Sequence, residues 1–223
     1  MGQFITIPTP GMHCIGAYRA DPAQPPRGAI VVVQEIFGVN AHIRRVVDGY
    51  AEAGYVAIAP ALFDYVESGV ELDYDEAGVA RGRSLVAEVG FERAVESVAS
   101  AAQAIASAGR KGVVGYCWGG TVAFLCATRL GLPAVVYYGG RSVPFLDERA
   151  QAPLLFHLGE RDPIIPPEHV ALHRHKQPQA QIHLYPAGHG FNCDMRADYD
   201  PASAALARER SLEFFARELG GDA

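Results

Sequence analysis

Six short apolar runs, each rich in β-branched or aromatic residues, limit the folds open to this chain. They are AIVVVQ (Ala29 to Gln34), YVAIAP (Tyr55 to Pro60), GVVGY (Gly112 to Tyr116), AVVYYG (Ala134 to Gly139), PLLFHLG (Pro153 to Gly159) and IHLYPA (Ile182 to Ala187). Their length suits strands covered on both faces, as in a parallel sheet. Helical patterns separate them. AHIRRVVDGYAEAG stops at Gly54, a good helix end before a strand. FERAVESVASAAQAIASAG lines up Val95, Val98, Ala102 and Ile105, and TVAFLCATRLG stops at Gly131. PASAALARERSLEFFARELG opens on Pro201 and spaces Leu212, Phe215 and Leu219 along one face. At the start, FITI and CIGAYRA predict a small antiparallel pair. Strand and helix in alternation predict an α/β fold, a mostly parallel central sheet with helices on both faces.

The 223 residues suit one domain with a large core, spanning 1–223. A formal net charge of -6, with no run of Lys or Arg, argues against nucleic acid and acidic membrane surfaces as partners. The N-terminus lacks the basic and apolar regions of a signal peptide, and no window is apolar for the ~18 residues of a membrane span. The four cysteines form no C-x-x-C pair, and neither they nor the eight histidines have zinc-site spacing. A cytoplasmic protein with reduced thiols, a monomer or small homo-oligomer with no metal or organic cofactor, is the expectation.

GYCWGG (Gly115 to Gly120) joins a strand end to a helix start. Gly115-Tyr116-Cys117-Trp118-Gly119 is a G-x-C-x-G form of the nucleophile elbow. A tight turn of this kind pushes its central side chain out at the carboxyl edge of the sheet. The helix N-terminus then directs N–H groups at the thiol, and the Trp118 N–H is placed as an oxyanion donor. Read alone, the turn also suits a small buried cysteine. It does not suit a phosphate loop, because no G-x-G-x-x-G or G-K-[ST] is present.

A nucleophile needs a base, and the base an orienting group. An α/β-hydrolase orders them nucleophile, acid, histidine. LGERDPIIP supplies Asp162 after one later strand, with Glu160 as the fallback acid, and PAGHGF supplies His189 after the next. His157 and His183 lie inside strands and read as packed or surface residues. His169, His173 and His175 share a charged helical stretch and read as solvated. Glu35, in QEIFGVN, ends the first parallel strand. There the N–H of Ile36 or Phe37 would give a second oxyanion donor. The carboxylate could take the thiol proton, or else pair at the surface with Arg44 or Arg45.

With these motifs in place, the chain resembles the dienelactone hydrolase family of α/β-hydrolases across nearly its whole length. QEIFGVN, GYVAIAPALF, VVGYCWGGTVAF, YYGG, LGERDPIIP and YPAGHGF carry the likeness. The resemblance implies a Cys117–Asp162–His189 triad, a Glu35 that governs thiol protonation, and oxyanion donors at Ile36 and Trp118. It places Tyr138 near the pocket. It implies hydrolysis of a small ester or lactone through a thioester. Phe37 is a candidate substrate contact beside it. In the family, arginines hold the substrate carboxylate, one of them shortly after the histidine. Here the first arginine after His189 is Arg196, and Arg81 and Arg83 are candidates for the other anchor. The competing readings are a non-catalytic ligand-binding or regulatory protein on a hydrolase scaffold and a thiol-redox protein. The second is weakened by the lack of a resolving cysteine. Cys126 sits about two and a half helical turns from Cys117, beyond disulfide reach.

Overall fold

The computed structural model describes residues 1–220. The chain groups into two compact units. The first comprises Met1–Gly112 with the end of the last helix, and the second Val113–Glu218.

In the first unit, β1 (Gln3–Thr9) and β2 (His13–Ala20) form the expected antiparallel pair. β2 runs antiparallel to β4 (Val56–Pro60), and β4 runs parallel to β3 (Ala29–Val33). All five residues of β3 and of β4 are buried, as their unbroken apolar runs predict. α1 (Ala41–Glu52) is capped by the Asn40 side chain, which accepts the Ile43 N–H at 3.2 Å.

α2 (Glu76–Ala104) is longer than its apolar pattern predicts, because a stretch before Phe91 is also helical. Gly90, at φ 70°, joins the two parts. Val95, Val98, Ala102 and Ile105 are buried along the predicted face.

The second unit holds most of β5 (Lys111–Tyr116), with β6 (Ala134–Tyr137), β7 (Leu154–Gly159) and β8 (Gln181–Tyr185) paired in that order, every pair parallel. All four strands therefore present their carboxyl ends at one edge, where a parallel α/β sheet puts its site. β6 stops two residues before the predicted Gly139, because Tyr138 turns to φ 39°.

Among the described residues, α3 (Trp118–Arg129), α4 (Pro167–Lys176) and α5 (Pro201–Leu219) complete the set of α-helices. α3 is buried from Trp118 to Thr128. Two readings are corrected here. His173 is not solvated: its ring packs edge-on against Phe156 and its Nδ1 meets the His169 carbonyl at 2.7 Å. On α5 the buried face runs through Ser211, Phe214, Phe215 and Leu219, and Leu212 lies at its margin. Among the described residues, no helix is long and apolar enough to cross a membrane.

Candidate active site

β5 ends at Tyr116, and the next residue, Cys117, has φ 55° and ψ −116° before α3 begins. Among the described residues only Cys117 and Tyr138 are non-glycine residues with positive φ. Each conformation costs on the order of 1–3 kcal/mol, so each must be held by its surroundings. The Cys117 N–H donates to the Tyr137 carbonyl at 3.0 Å, and the Cys117 carbonyl accepts the Gly120 N–H at 3.0 Å. Glycine is required on both sides. A Cβ on Gly115 would lie 1.8 Å from the Gly119 oxygen, and one on Gly120 would lie 2.7 Å from the Tyr137 oxygen. Trp118 opens α3, so its N–H belongs to the first turn, whose N–H groups lack intrahelical partners.

Asp162 follows β7 and His189 follows β8, so three parallel strands deliver three side chains to one edge. His189 Nε2 lies 3.1 Å from Cys117 Sγ, and His189 Nδ1 lies 2.7 Å from Asp162 Oδ2. The other Asp162 oxygen accepts the Ile164 N–H at 2.8 Å, which fixes the carboxylate. Asp162 and His189 are 4% and 5% exposed, while Cys117 is half-buried and accessible. Glu160 is exposed, and the carboxylate that meets His189 is Asp162.

Burial works against a charged His189. The Cys117 sulfur on one nitrogen and the Asp162 carboxylate on the other outweigh it, and its pKa is raised to about 10. Tyr138 is fully buried with its ring edge-on to His189, at 5.2 Å between centroids.

The loop after His189 wraps its own backbone. Asp198 packs against Gly188, and the half-buried Arg196 guanidinium packs against Gly190, filling the space a Cβ would need. Arg196 therefore sits beside the residue that follows the histidine.

Glu35 and its neighbours belong to the first unit. Glu35 is fully buried and so is not a surface glutamate. Arg44 pairs with Glu71 instead, at 2.6 Å. The Tyr74 hydroxyl accepts from Asn40 Nδ2 at 3.0 Å and donates to Glu35 Oε2 at 3.1 Å. The Phe37 ring lies 4.3 Å from the Tyr74 ring. No motif marks Tyr74, and its partnership with Glu35 spans a gap that no local spacing reveals. The Ile36 carbonyl is pressed against Gly82 of α2. Arg81 is exposed and paired with Glu67, and Arg83 lines an open cleft of about 590 Å³ with Tyr74, Asp75, Glu76, Val79 and Ala80.

The dienelactone hydrolase family profile matches residues 15–219. A carboxymethylenebutenolidase of Pseudomonas putida is 35% identical over 228 residues, covering 95% of both chains. A Klebsiella pneumoniae crystal structure provisionally identified as a dienelactone hydrolase is 31% identical, with a TM-score of 0.87 over 97% of this chain and 98% of that one. A Pyrococcus furiosus esterase shares the fold at 14% identity, with a TM-score of 0.70 over 99% of this chain and 94% of that one. The family match, the relatives at over 30% identity and the strand-end geometry agree: this chain is a hydrolase of α/β-hydrolase fold and belongs to the dienelactone hydrolase family.

Proposed function

We propose that the chain hydrolyses small esters or lactones, with a carboxymethylenebutenolidase-like activity, through a Cys117 thioester. One observation carries this reading: Cys117 Sγ, His189 and Asp162 form a continuous chain of contacts at 3.1 and 2.7 Å, in which Asp162 and His189 are buried and Cys117 is half-exposed. The similar proteins that bear the carboxymethylenebutenolidase name support the substrate class.

The raised pKa of His189 favours an imidazolium beside the Cys117 sulfur, and the proposed reaction proceeds from the thiolate form of Cys117. The thiolate attacks the carbonyl carbon, and the oxygen becomes an oxyanion. The Trp118 N–H is assigned to hold it, an effect worth about 3 kcal/mol per donor. When the C–O bond breaks, the alkoxide or enolate takes the proton from His189. Acylation removes the sulfur's charge, the largest of the causes that raise the His189 pKa. Burial and Asp162 then remain, and the imidazole becomes basic enough in its free form to take a proton from water. The hydroxide attacks the thioester, the C–S bond breaks, and the thiolate returns.

The resemblance also assigns a second oxyanion donor to Ile36 and control of the thiol to Glu35, and it places Tyr138 near the pocket; Phe37, Arg81 and Arg83 are candidate substrate contacts.

The test uses p-nitrophenyl acetate and a small lactone. Cys117→Ala should abolish turnover, and mass spectrometry should find an acyl group on Cys117 in the wild type. Turnover of Cys117→Ala at the wild-type rate would remove the nucleophile assignment. An unacylated, inactive wild type would favour the ligand-binding reading. In the same assay, Glu35→Gln should shift the pH dependence of Cys117 alkylation, and an unchanged profile would free Glu35 of that role.

A further inference from the structure

Behind the site, strands β6, β7 and β8 and helix α5 enclose a chain of polar groups in the second unit. His157 Nδ1 lies 2.8 Å from the Tyr185 hydroxyl, and His157 Nε2 lies 3.0 Å from Ser211 Oγ. The Tyr137 hydroxyl is 2.8 Å from the same Ser211 oxygen. Ser211 also donates to the Ala207 carbonyl at 2.7 Å, and Arg210 donates to the Tyr185 hydroxyl at 3.1 Å. His157 and Ser211 are fully buried, and Tyr137 and Tyr185 nearly so.

Counting protons fixes every direction. Ser211 has a single hydroxyl proton and gives it to Ala207, so it can only accept from Tyr137 and from His157. His157 therefore carries its proton on Nε2, and its Nδ1 accepts from Tyr185. Tyr185 in turn accepts from Arg210. No proton is left over and none is missing, provided His157 is neutral. Burial, with the nearby charges of His183 and Arg210, pushes its pKa well below the ordinary range.

The network reaches the reacting groups through two adjacent residues. The Tyr137 hydroxyl is held by Ser211, and its carbonyl accepts the Cys117 N–H at 3.0 Å. The Tyr138 N–H donates to the His157 carbonyl at 2.9 Å, and the Tyr138 ring stands against His189. Phe191, two residues beyond His189, is seated between the rings of Tyr185 and Tyr138 at 5.1 and 5.4 Å. Tyr137–Tyr138 thus bridges the backbone of one reacting residue and the ring of the other. Its second member is one of the two non-glycine residues at positive φ among the described residues.

We infer that His157, neutral and donating from Nε2 to Ser211, is a positioning residue that sets the register of Cys117 against His189 through the Tyr137–Tyr138 bridge. This inference rests on the nucleophile reading of Cys117. Its loss should act on the chemical step and leave substrate binding alone, because misplacing reacting groups by a fraction of an ångström slows turnover.

The test compares His157→Leu, which keeps bulk and loses both polar contacts, with His157→Gln, whose amide offers a donor and an acceptor. With p-nitrophenyl acetate, His157→Leu should lose kcat on the order of tenfold, with KM within about twofold of wild type. The low-field proton NMR resonance of His189 Nδ1–H should move with it, and His157→Gln should recover most of both. Wild-type kcat in a folded His157→Leu would overturn the inference, as would a His157→Gln no better than the Leu variant. If His157→Leu does not fold, Ser211→Ala breaks the same relay. It should show the same kcat loss, and wild-type kcat there overturns the proposal. Cys117→Ala, run in parallel, separates the two ideas. An active Cys117→Ala removes the nucleophile reading and the inference with it, whereas an inactive one beside unaffected His157 variants removes the inference alone.

Discussion

The imidazole of His189 is pulled two ways by its surroundings. Burial favours the neutral ring, and the sulfur and carboxylate at its two nitrogens favour the cation and prevail. The direction of the resulting pH dependence follows from linkage. An unfolded chain releases the proton near the ordinary value of 6.5, while the folded one holds it to about 10. The folded state therefore gains stability that is fully present below 6.5 and is lost as pH rises through about 10. The histidine resonances should show this directly. His189 should titrate near pH 10 in the wild type and lower in Cys117→Ala, where the largest raising cause is absent. A wild-type midpoint near 6.5 would mean that the sulfur carries no charge at rest. Urea unfolding should show the same asymmetry, with the wild type losing its advantage over Cys117→Ala between neutral pH and pH 10.

At the scale of elements, the strand–turn–helix around Cys117 is held by close backbone approach, and this makes it unforgiving. Gly115→Ala would put a methyl group 1.8 Å from the Gly119 oxygen, and no flexible side chain stands there to yield. The expected cost is about 3 kcal/mol or more, seen as a lower denaturant midpoint. Any folded fraction should have lost most of its turnover, because relief must come from moving the turn that carries Cys117, the proposed nucleophile. A variant of wild-type stability would contradict the packing described. The same physics decides what the sequence disclosed. Cys117, Asp162 and His189 were legible because strand ends and small flanking residues are local signals, and parallel strands put them at one edge. The helical stretch before Phe91 was not legible. Gly78 and Gly82 dilute its apolar pattern, and they are glycine because the Asp73 and Ile36 carbonyls press on them. Intrinsic propensity counts against those residues, and tertiary packing overrides it. Likewise Ser211 reads as a polar interruption of an apolar helix face until Tyr137 and His157 are found around it, 74 and 54 residues away in sequence. His173 was misread for the same reason, since Phe156, which covers it, comes from another element.

At the scale of the whole molecule, the chain returns to where its core begins. Leu219, the last residue of α5, belongs with the first unit and is 2% exposed. Its side chain packs where a Cβ on Gly28 would stand, just before β3 opens at Ala29. Arg110 joins both ends of this closure. Its carbonyl accepts the Ala29 N–H at 2.9 Å, and its guanidinium donates to the Gly220 carbonyl at 3.4 Å. The hydrogen bond at 3.4 Å is long, so the apolar contact carries most of the closure. Truncating Leu219 removes buried methyl groups and leaves a void beside a backbone that cannot move in without disturbing β3. Leu219→Ala should therefore cost about 2–3 kcal/mol. The urea midpoint should fall with an unchanged slope, and kcat at 25 °C should stay at the wild-type value, because Leu219 belongs to the first unit and Cys117, Asp162 and His189 belong to the second. A fall in kcat at temperatures where the variant is fully folded would show that the contact at Gly28 also tunes the site. An unchanged midpoint would show that the chain end is not part of the first unit's core.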